Sequence, residues 1–300
     1  MSFTADAGSV LCILGPNGAG KTTTIDILTT RRLPDSGTVR MLGRDVVRER
    51  DAVVRDIAVA QQEAAVDTFL TGRENLVLCG RMMRLGKADA LRRADELLTQ
   101  FGLTEAARRP AGEYSGGMRR RLDLAMCLPA SPKVIFLDEP TTGLDTPSRA
   151  KLWAAVNELA AAGTTIVLST QYLEEADALA DQIVIINRGV VVASGNPRQL
   201  KQQVGDERVE VQVERPAVAA ATAALRAAGC RDVALDEHEA LISVRVDGGV
   251  AGLLLVAEVL HRAQVTVGGL ALRQPTMDEV FLALTGRNEE RARNGTRIAG

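Results

Sequence analysis

The chain has 300 residues, room for one large domain or two smaller ones, and its 46% hydrophobic and 25% charged residues are an ordinary globular mixture. A formal net charge of −2 argues against any bulk electrostatic pull toward nucleic acid or anionic lipid. Cys12, Cys79, Cys127 and Cys230 are scattered with no C-x-x-C pair, and the only histidines are His238 and His261. Zinc sites and disulfide frameworks are therefore not expected, and a reducing compartment is. Residues 1–6 lack the basic start and apolar run of a secretory leader, and residues 250–259 are too short, and broken by Glu258, to cross a bilayer. Any membrane role is expected to come through a partner.

In chain order, Val10-Leu11-Cys12-Ile13-Leu14 reads as a short apolar strand, and residues 23–28 read as a helix. Between them Gly15-Pro16-Asn17-Gly18-Ala19-Gly20-Lys21-Thr22 matches G-x-x-x-x-G-K-[ST]. Glycines let backbone N–H groups face phosphates, and the helix N-terminus favours their charge. Residues Gly15 to Gly20 with Thr23 are thus the expected cradle for ATP; Lys21 would reach the β- and γ-phosphates, and Thr22 would ligate Mg²⁺.

Residues 62–128 turn helical and arginine-rich, and Thr71-Gly72-Arg73-Glu74 has the form of a capping box. This stretch is expected to be a helical subdomain inserted into a sheet domain. Within it Tyr114-Ser115-Gly116-Gly117-Met118 opens a helix, placing a hydroxyl, glycine N–H groups and a helix dipole together as an anion site. Val134-Ile135-Phe136-Leu137 then runs into Asp138-Glu139. Beside a phosphate loop, the first carboxylate suits the Mg²⁺ shell, and the second is placed to polarise an attacking water as general base. Residues 134–137 and 165–169 are continuous apolar runs, as strands buried on both faces of a parallel sheet require. Residues 1–200 are therefore read as a layered α/β domain.

Residues 201–207 are polar and are read as a linker. Val209, Val211 and Val213 then alternate with polar residues as a half-exposed strand does. Helices over 216–229 and 250–262, strands near 233–235, 241–246 and 265–272, and a last short helix over 276–284 predict a small α+β domain over 208–285. The charged tail, 286–300, has no apolar periodicity and is expected to be disordered.

Ser115, Gly116 and Gly117, downstream of the phosphate loop and upstream of Asp138, resemble the core of the Leu-Ser-Gly-Gly-Gln signature of ATP-binding cassette (ABC) ATPases; Tyr114 and Met118 depart at its Leu and Gln positions. Gln62, with Gln61 as neighbouring candidate, resembles that family's Q-loop glutamine, and Thr142-Gly143-Leu144-Asp145 resembles its D-loop. Ser169-Thr170-Gln171 occupies the switch position, where the broad family has histidine. Residues 70–76, 114–118, 171–177 and 274–286 together resemble the daunorubicin/doxorubicin-resistance-type branch of drug-export ATPases and its C-terminal accessory domain.

The resemblance implies a Mg²⁺-dependent, transport-coupled ATPase. Glu139, Gln171 and Gln62 would be catalytic, and Thr22, Asp138 and Gln62 would hold Mg²⁺. Ser115, Gly116 and Gly117 would act in trans on ATP bound by a second copy, with Asp145 crossing the dimer interface. The implied partners are a second identical subunit and a separate integral-membrane permease, with no nucleic acid; the implied place is the cytoplasmic face of the cell membrane. Cargo contacts would lie in the permease. A catalytically impaired ATP-binding regulator and a non-transport ABC protein remain as alternative readings.

ABC ATPases usually begin with further strands and an aromatic residue that stacks on adenine. Here Phe3 stands where the family has a strand, so those N-terminal strands and that aromatic are expected to be absent. Base stacking contributes roughly 1–3 kcal/mol, so ATP affinity is expected to be about ten- to a hundredfold lower.

A glutamine amide can donate to a γ-phosphate but cannot carry charge. ATPase turnover is therefore expected to lack a histidine-dependent limb; a pH profile with an inflection near the histidine range, about pH 6.5, would contradict the assignment of Gln171.

Overall fold

The uninterrupted apolar runs become the centre of a six-stranded sheet in the computed structural model, which describes residues 1–61, 65–205, 207–236 and 238–284. The chain divides into two units, Met1–Pro197 and the residues from Arg198 onward. The first contains, in order, β1 (Val10–Leu14), α1 (Lys21–Leu28), a ribbon of β2 (Arg40–Met41) and β3 (Arg44–Asp45), α2 (Arg50–Asp56) and β4 (Ile57–Ala60). Three helices follow, α3 (Gly72–Met82), α4 (Lys87–Gln100) and α5 (Gly116–Met126), before the chain returns to the sheet at β5 (Val134–Asp138). Then come α6 (Thr146–Ala161), β6 (Thr165–Thr170), α7 (Leu173–Leu179), β7 (Gln182–Asn187) and β8 (Val190–Gly195).

The strand order is β4-β5-β6-β1-β7-β8, parallel throughout except for β8, which runs antiparallel to β7. Every residue of β1, β5 and β6 is buried, which is why these segments show no period-two alternation. Successive side chains of β5 still face opposite ways. Ile135 and Leu137 join the large cluster that includes Leu76, Leu97, Phe101 and Leu122 of the helical insertion. Val134 and Phe136 join the cluster that includes Leu11, Ile13, Ile25 and Val184. Residues 1–9 form no strand, and Phe3 packs against that second cluster.

The helical insertion begins as its sequence suggests. Thr71 Oγ1 accepts from the Glu74 amide at 3.2 Å, and Glu74 Oε2 accepts from the Thr71 amide at 2.8 Å, a complete capping box on α3. Gly72 sits where any Cβ would collide with the Tyr114 hydroxyl. That close approach leaves Tyr114 buried, with its hydroxyl donating to the Ala106 carbonyl at 2.8 Å.

A short helix, α8 (Pro197–Gln202), spans the point of division, so the stretch read as a linker from 201 starts inside a helix. The second unit continues with β9 (Arg208–Val213), α9 (Val218–Ala227), β10 (Arg231–Asp236), β11 (Leu241–Arg245), α10 (Val250–Arg262), β12 (Val267–Arg273) and a helix over 277–284. Its strands form an antiparallel sheet in the order β10-β11-β9-β12. Val209, Val211 and Val213 bury one face against Leu225, Val256 and Leu260, while Arg208, Glu210 and Gln212 lie on the other. The tail expected over 286–300 lies outside the described residues.

Asp56, at the end of α2, ties β4 to the start of β5. Its carboxylate meets Lys133 Nζ at 3.2 Å and Arg44 Nη1 at 2.7 Å, and the two cations hold its pKa below the usual carboxylate value. A depressed folded-state pKa stabilises above the unfolded value, near 3.9, and that contribution is lost as pH falls through the folded pKa. Asp56→Asn should therefore lower urea stability at pH 7, with the difference from wild type shrinking as pH falls below the ordinary carboxylate value and through the depressed folded pKa.

Candidate functional site

Three neighbouring parallel strands end level with one another: Asp138 of β5 lies opposite Ser169 of β6, and Thr170 of β6 opposite Leu14 of β1. Their following loops therefore open together at the carboxyl edge, where open α/β sheets bind ligands.

The loop after β1 turns through left-handed conformations at Gly18 (φ 78°) and Gly20 (φ 102°). Gly15 passes so close to the Ile186 carbonyl that a Cβ would overlap it. Pro16, Asn17, Gly18, Thr22 and Thr23 are exposed, whereas Ala19 is buried. No side chain caps the N-terminus of α1, so its first N–H groups stay available to an anion. Lys21 is only 5% exposed; its Nζ donates to the carbonyls of Gly15 (2.9 Å) and Pro16 (3.2 Å) and pairs with Glu139 Oε1 at 3.1 Å. Thr22 Oγ1 donates to Asp138 Oδ2 at 3.1 Å, and the Ser169 hydroxyl donates to the other oxygen of that buried carboxylate. Thr142 Oγ1 donates to Glu139 Oε2 at 3.4 Å.

Lys21, Thr22, Asp138 and Glu139, read from two distant motifs, are thus one constellation. A hydroxyl beside a carboxylate is a hard oxygen donor set of the kind Mg²⁺ takes together with substrate phosphates. Among the described residues no group of three or more His, Cys, Asp or Glu could hold a metal by itself, so phosphate oxygens and water would complete the shell.

Gln171 directly follows β6 and is half-buried; α7 starts only at Leu173, so Gln171 stands on the loop and not in the helix. Gln62 lies outside the described residues, and Gln61 is exposed just past β4. Ser115 is the exposed N-cap of α5, its Oγ accepting from the Met118 amide at 3.3 Å. Asp145 is the exposed N-cap of α6, its Oδ1 accepting from the Ser148 amide at 3.0 Å. Hydrogen bonds from the Ser148 side chain and amide hold the Asp145 carboxyl below its ordinary pKa. Gly117 is packed so tightly on Ser148 that a Cβ there would overlap it. Ser148 therefore joins the 115–117 turn and the Asp145 turn into one surface. Among the described residues no hydrogen bond or ion pair links that surface to the phosphate loop.

Four further residues organise the site, none of them given a role of its own from the sequence. Ser169 anchors Asp138, as above. Arg120 and Asp123 form a buried pair on α5 at 3.1 Å. Glu175, fully buried in α7, accepts from Trp153 Nε1 at 3.1 Å, and burial pushes its carboxyl up. The available signal was charge at buried helical spacing: Arg120 and Asp123 stand i,i+3 beside Leu122, Leu124 and Ala125.

The family model described as ABC transporter matches residues 1–142, and the C-terminal domain model of the DrrA1-3-like ATP-binding proteins matches residues 195–285. The chain is 48% identical to the daunorubicin resistance ATP-binding protein DrrA3 of Streptomyces coeruleorubidus, covering 93% of this chain and 88% of that one. It is 44% identical to the daunorubicin/doxorubicin resistance ATP-binding protein DrrA of Streptomyces peucetius, over 100% of this chain and 92% of that one. It is 33% identical to the linearmycin resistance ATP-binding protein LnrL of Bacillus subtilis, over 96% and 93%. Among solved structures, an ATP-binding subunit of an ABC transporter superposes with a TM-score of 0.59 at 29% identity, covering 67% of this chain and 84% of that one. With the phosphate loop, the paired carboxylates and the Ser-Gly-Gly turn in place, the chain belongs to the ABC transporter ATP-binding proteins, in the branch that carries the DrrA-type C-terminal domain.

Proposed function

We propose that this chain is the ATP-hydrolysing subunit of an ABC exporter, pairing with a second copy on ATP to drive a separate membrane permease. The observation that carries the reading is the convergence of Lys21, Thr22, Asp138 and Glu139 at the ends of β1 and β5, within 3.1 Å contacts. The triphosphate lies on the 15–23 loop and the uncapped start of α1. Its γ-phosphate draws the Lys21 ammonium, and the Glu139 carboxylate released from that ion pair accepts a proton from the attacking water. Gln171, on the neighbouring loop, donates its amide to the γ-phosphate. Thr22 and Asp138, with Gln62, are the residues to hold Mg²⁺, which when bound offsets phosphate charge.

The turn at Ser115, Gly116 and Gly117, exposed at Ser115 and Gly116 and locked to Asp145 through Ser148 beneath Gly117, serves the ATP of the partner copy. The exposure of Ser115 and Gly116 supports this: the turn offers a hydroxyl, glycine N–H groups and a helix N-terminus to an anion from outside the chain. Among the described residues no helix is long and apolar enough to cross a membrane; this reading gives the crossing to a separate permease, with the subunit peripheral on its cytoplasmic face. The drug-resistance names of the similar proteins support export of a drug or antibiotic.

Glu139→Gln should cut steady-state ATPase by about 10²–10⁴-fold while ATP still binds, trapping a dimer; light scattering that finds only monomer with ATP would overturn the dimer reading. Ser115→Arg should abolish turnover while leaving ATP binding to each monomer, measured by equilibrium titration, unchanged; full ATPase activity in that variant would mean the turn serves no phosphate.

A further inference from the structure

Glu139 has a φ of 46°, in the left-handed region that non-glycine residues seldom occupy, and Pro140 after it narrows its choices further. Such a conformation persists only where the surroundings over-determine it. Its own amide donates to the Ser169 carbonyl at 3.0 Å. The carbonyls before and after it are held by one side chain. Arg120 Nη2 donates to the Asp138 carbonyl at 3.3 Å, and Arg120 Nε donates to the Pro140 carbonyl at 2.8 Å. Nη1 of the same guanidinium reaches the Gln61 carbonyl and pairs with Asp123, whose other oxygen accepts the Ala65 amide at 2.9 Å. Arg120 is 8% exposed and Asp123 3%, so water does not compete for these bonds.

We propose that Arg120, oriented by Asp123, is the positioning residue for Glu139: its planar fork grips the peptides on both sides of that carboxylate and so sets where the carboxyl points. The argument rests on Glu139 acting as general base. Arg120 acts through the Glu139 backbone. It also lies on α5, the helix opened by Ser115, so the orientation of the base is tied to the signature turn of its own chain. A lysine offers a point charge on a flexible stem and cannot reproduce the fork.

The test uses the full chain, with MgATP turnover, equilibrium nucleotide binding and thermal melting of wild type, Arg120→Lys, Arg120→Met, Asp123→Asn and Glu139→Gln. Arg120→Met should lower kcat about tenfold or more with KM for ATP changed less than about threefold, and Arg120→Lys should restore only part of that loss. Asp123→Asn should show the same split to a smaller degree. In the Glu139→Gln background, Arg120→Lys should add no further loss to the single-turnover rate, because the two act through one group. If Arg120→Met does not fold, the lysine and Asp123→Asn variants decide. Wild-type kcat in folded Arg120 variants, with Glu139→Gln inactive, overturns the inference alone. Parallel loss of kcat and ATP binding overturns it in favour of a purely structural role. Wild-type kcat in Glu139→Gln overturns the reading of the base beneath it.

Discussion

Everything at the candidate site depends on the parallel register of β5, β6 and β1. Because Asp138 lies opposite Ser169 and Leu14 opposite Thr170, three loops leave the sheet at one height. A register shift of one residue in β5 would turn Phe136 toward the opposite cluster and carry Asp138 away from Thr22. The sheet is thus the device that brings the Gly15–Thr22 loop and the Asp138–Glu139 pair, more than a hundred residues apart in sequence, into contact. Their hydrogen bonds are consequences of that register.

Buried charge is the second constraint. Lys21, Asp138, Arg120, Asp123 and Glu175 are all removed from water, and an unpaired buried charge is expensive. Lys21 is answered by Glu139 and two carbonyls, Asp138 by Thr22 and Ser169, and Arg120 by three carbonyls and Asp123. Glu175 accepts from Trp153 Nε1 at 3.1 Å, and burial outweighs its neighbours enough to push its carboxyl up. Such networks add little net stability but hold a unique geometry, which suits a site where carboxylates must point in set directions.

The two units solve the burial problem differently. The first buries β1, β5 and β6 on both faces, and its helical insertion docks on the sheet through Leu76, Leu97 and Leu122. The second covers one face of an antiparallel sheet with α9 and α10, leaving Arg208, Glu210 and Gln212 on the other. That difference was visible as continuous apolar runs in one half and alternating valines in the other, since each pattern records how many faces are hidden.

The phosphate loop, the strand ending in Asp138 and Glu139, the Thr71 capping box and the Ser115 turn were legible in the sequence because each is a local conformation written in contiguous residues. The Val209–Val213 alternation was legible for the same reason. The Lys21–Glu139 contact, the Ser148 link between Gly117 and Asp145, and the Arg120 grip on the peptides around Glu139 were not. Arg120 reads on paper as one of three successive arginines beside Arg119 and Arg121, and only its i,i+3 spacing to Asp123 within an apolar stretch hints at burial, since Arg119 stands i,i+4 to the same aspartate. Sequence alone determined which groups could bind phosphate and move a proton, because residue type and local backbone settle that. Tertiary structure decided which of them meet, because that depends on strand order, register and the burial that strips competing water from each bond.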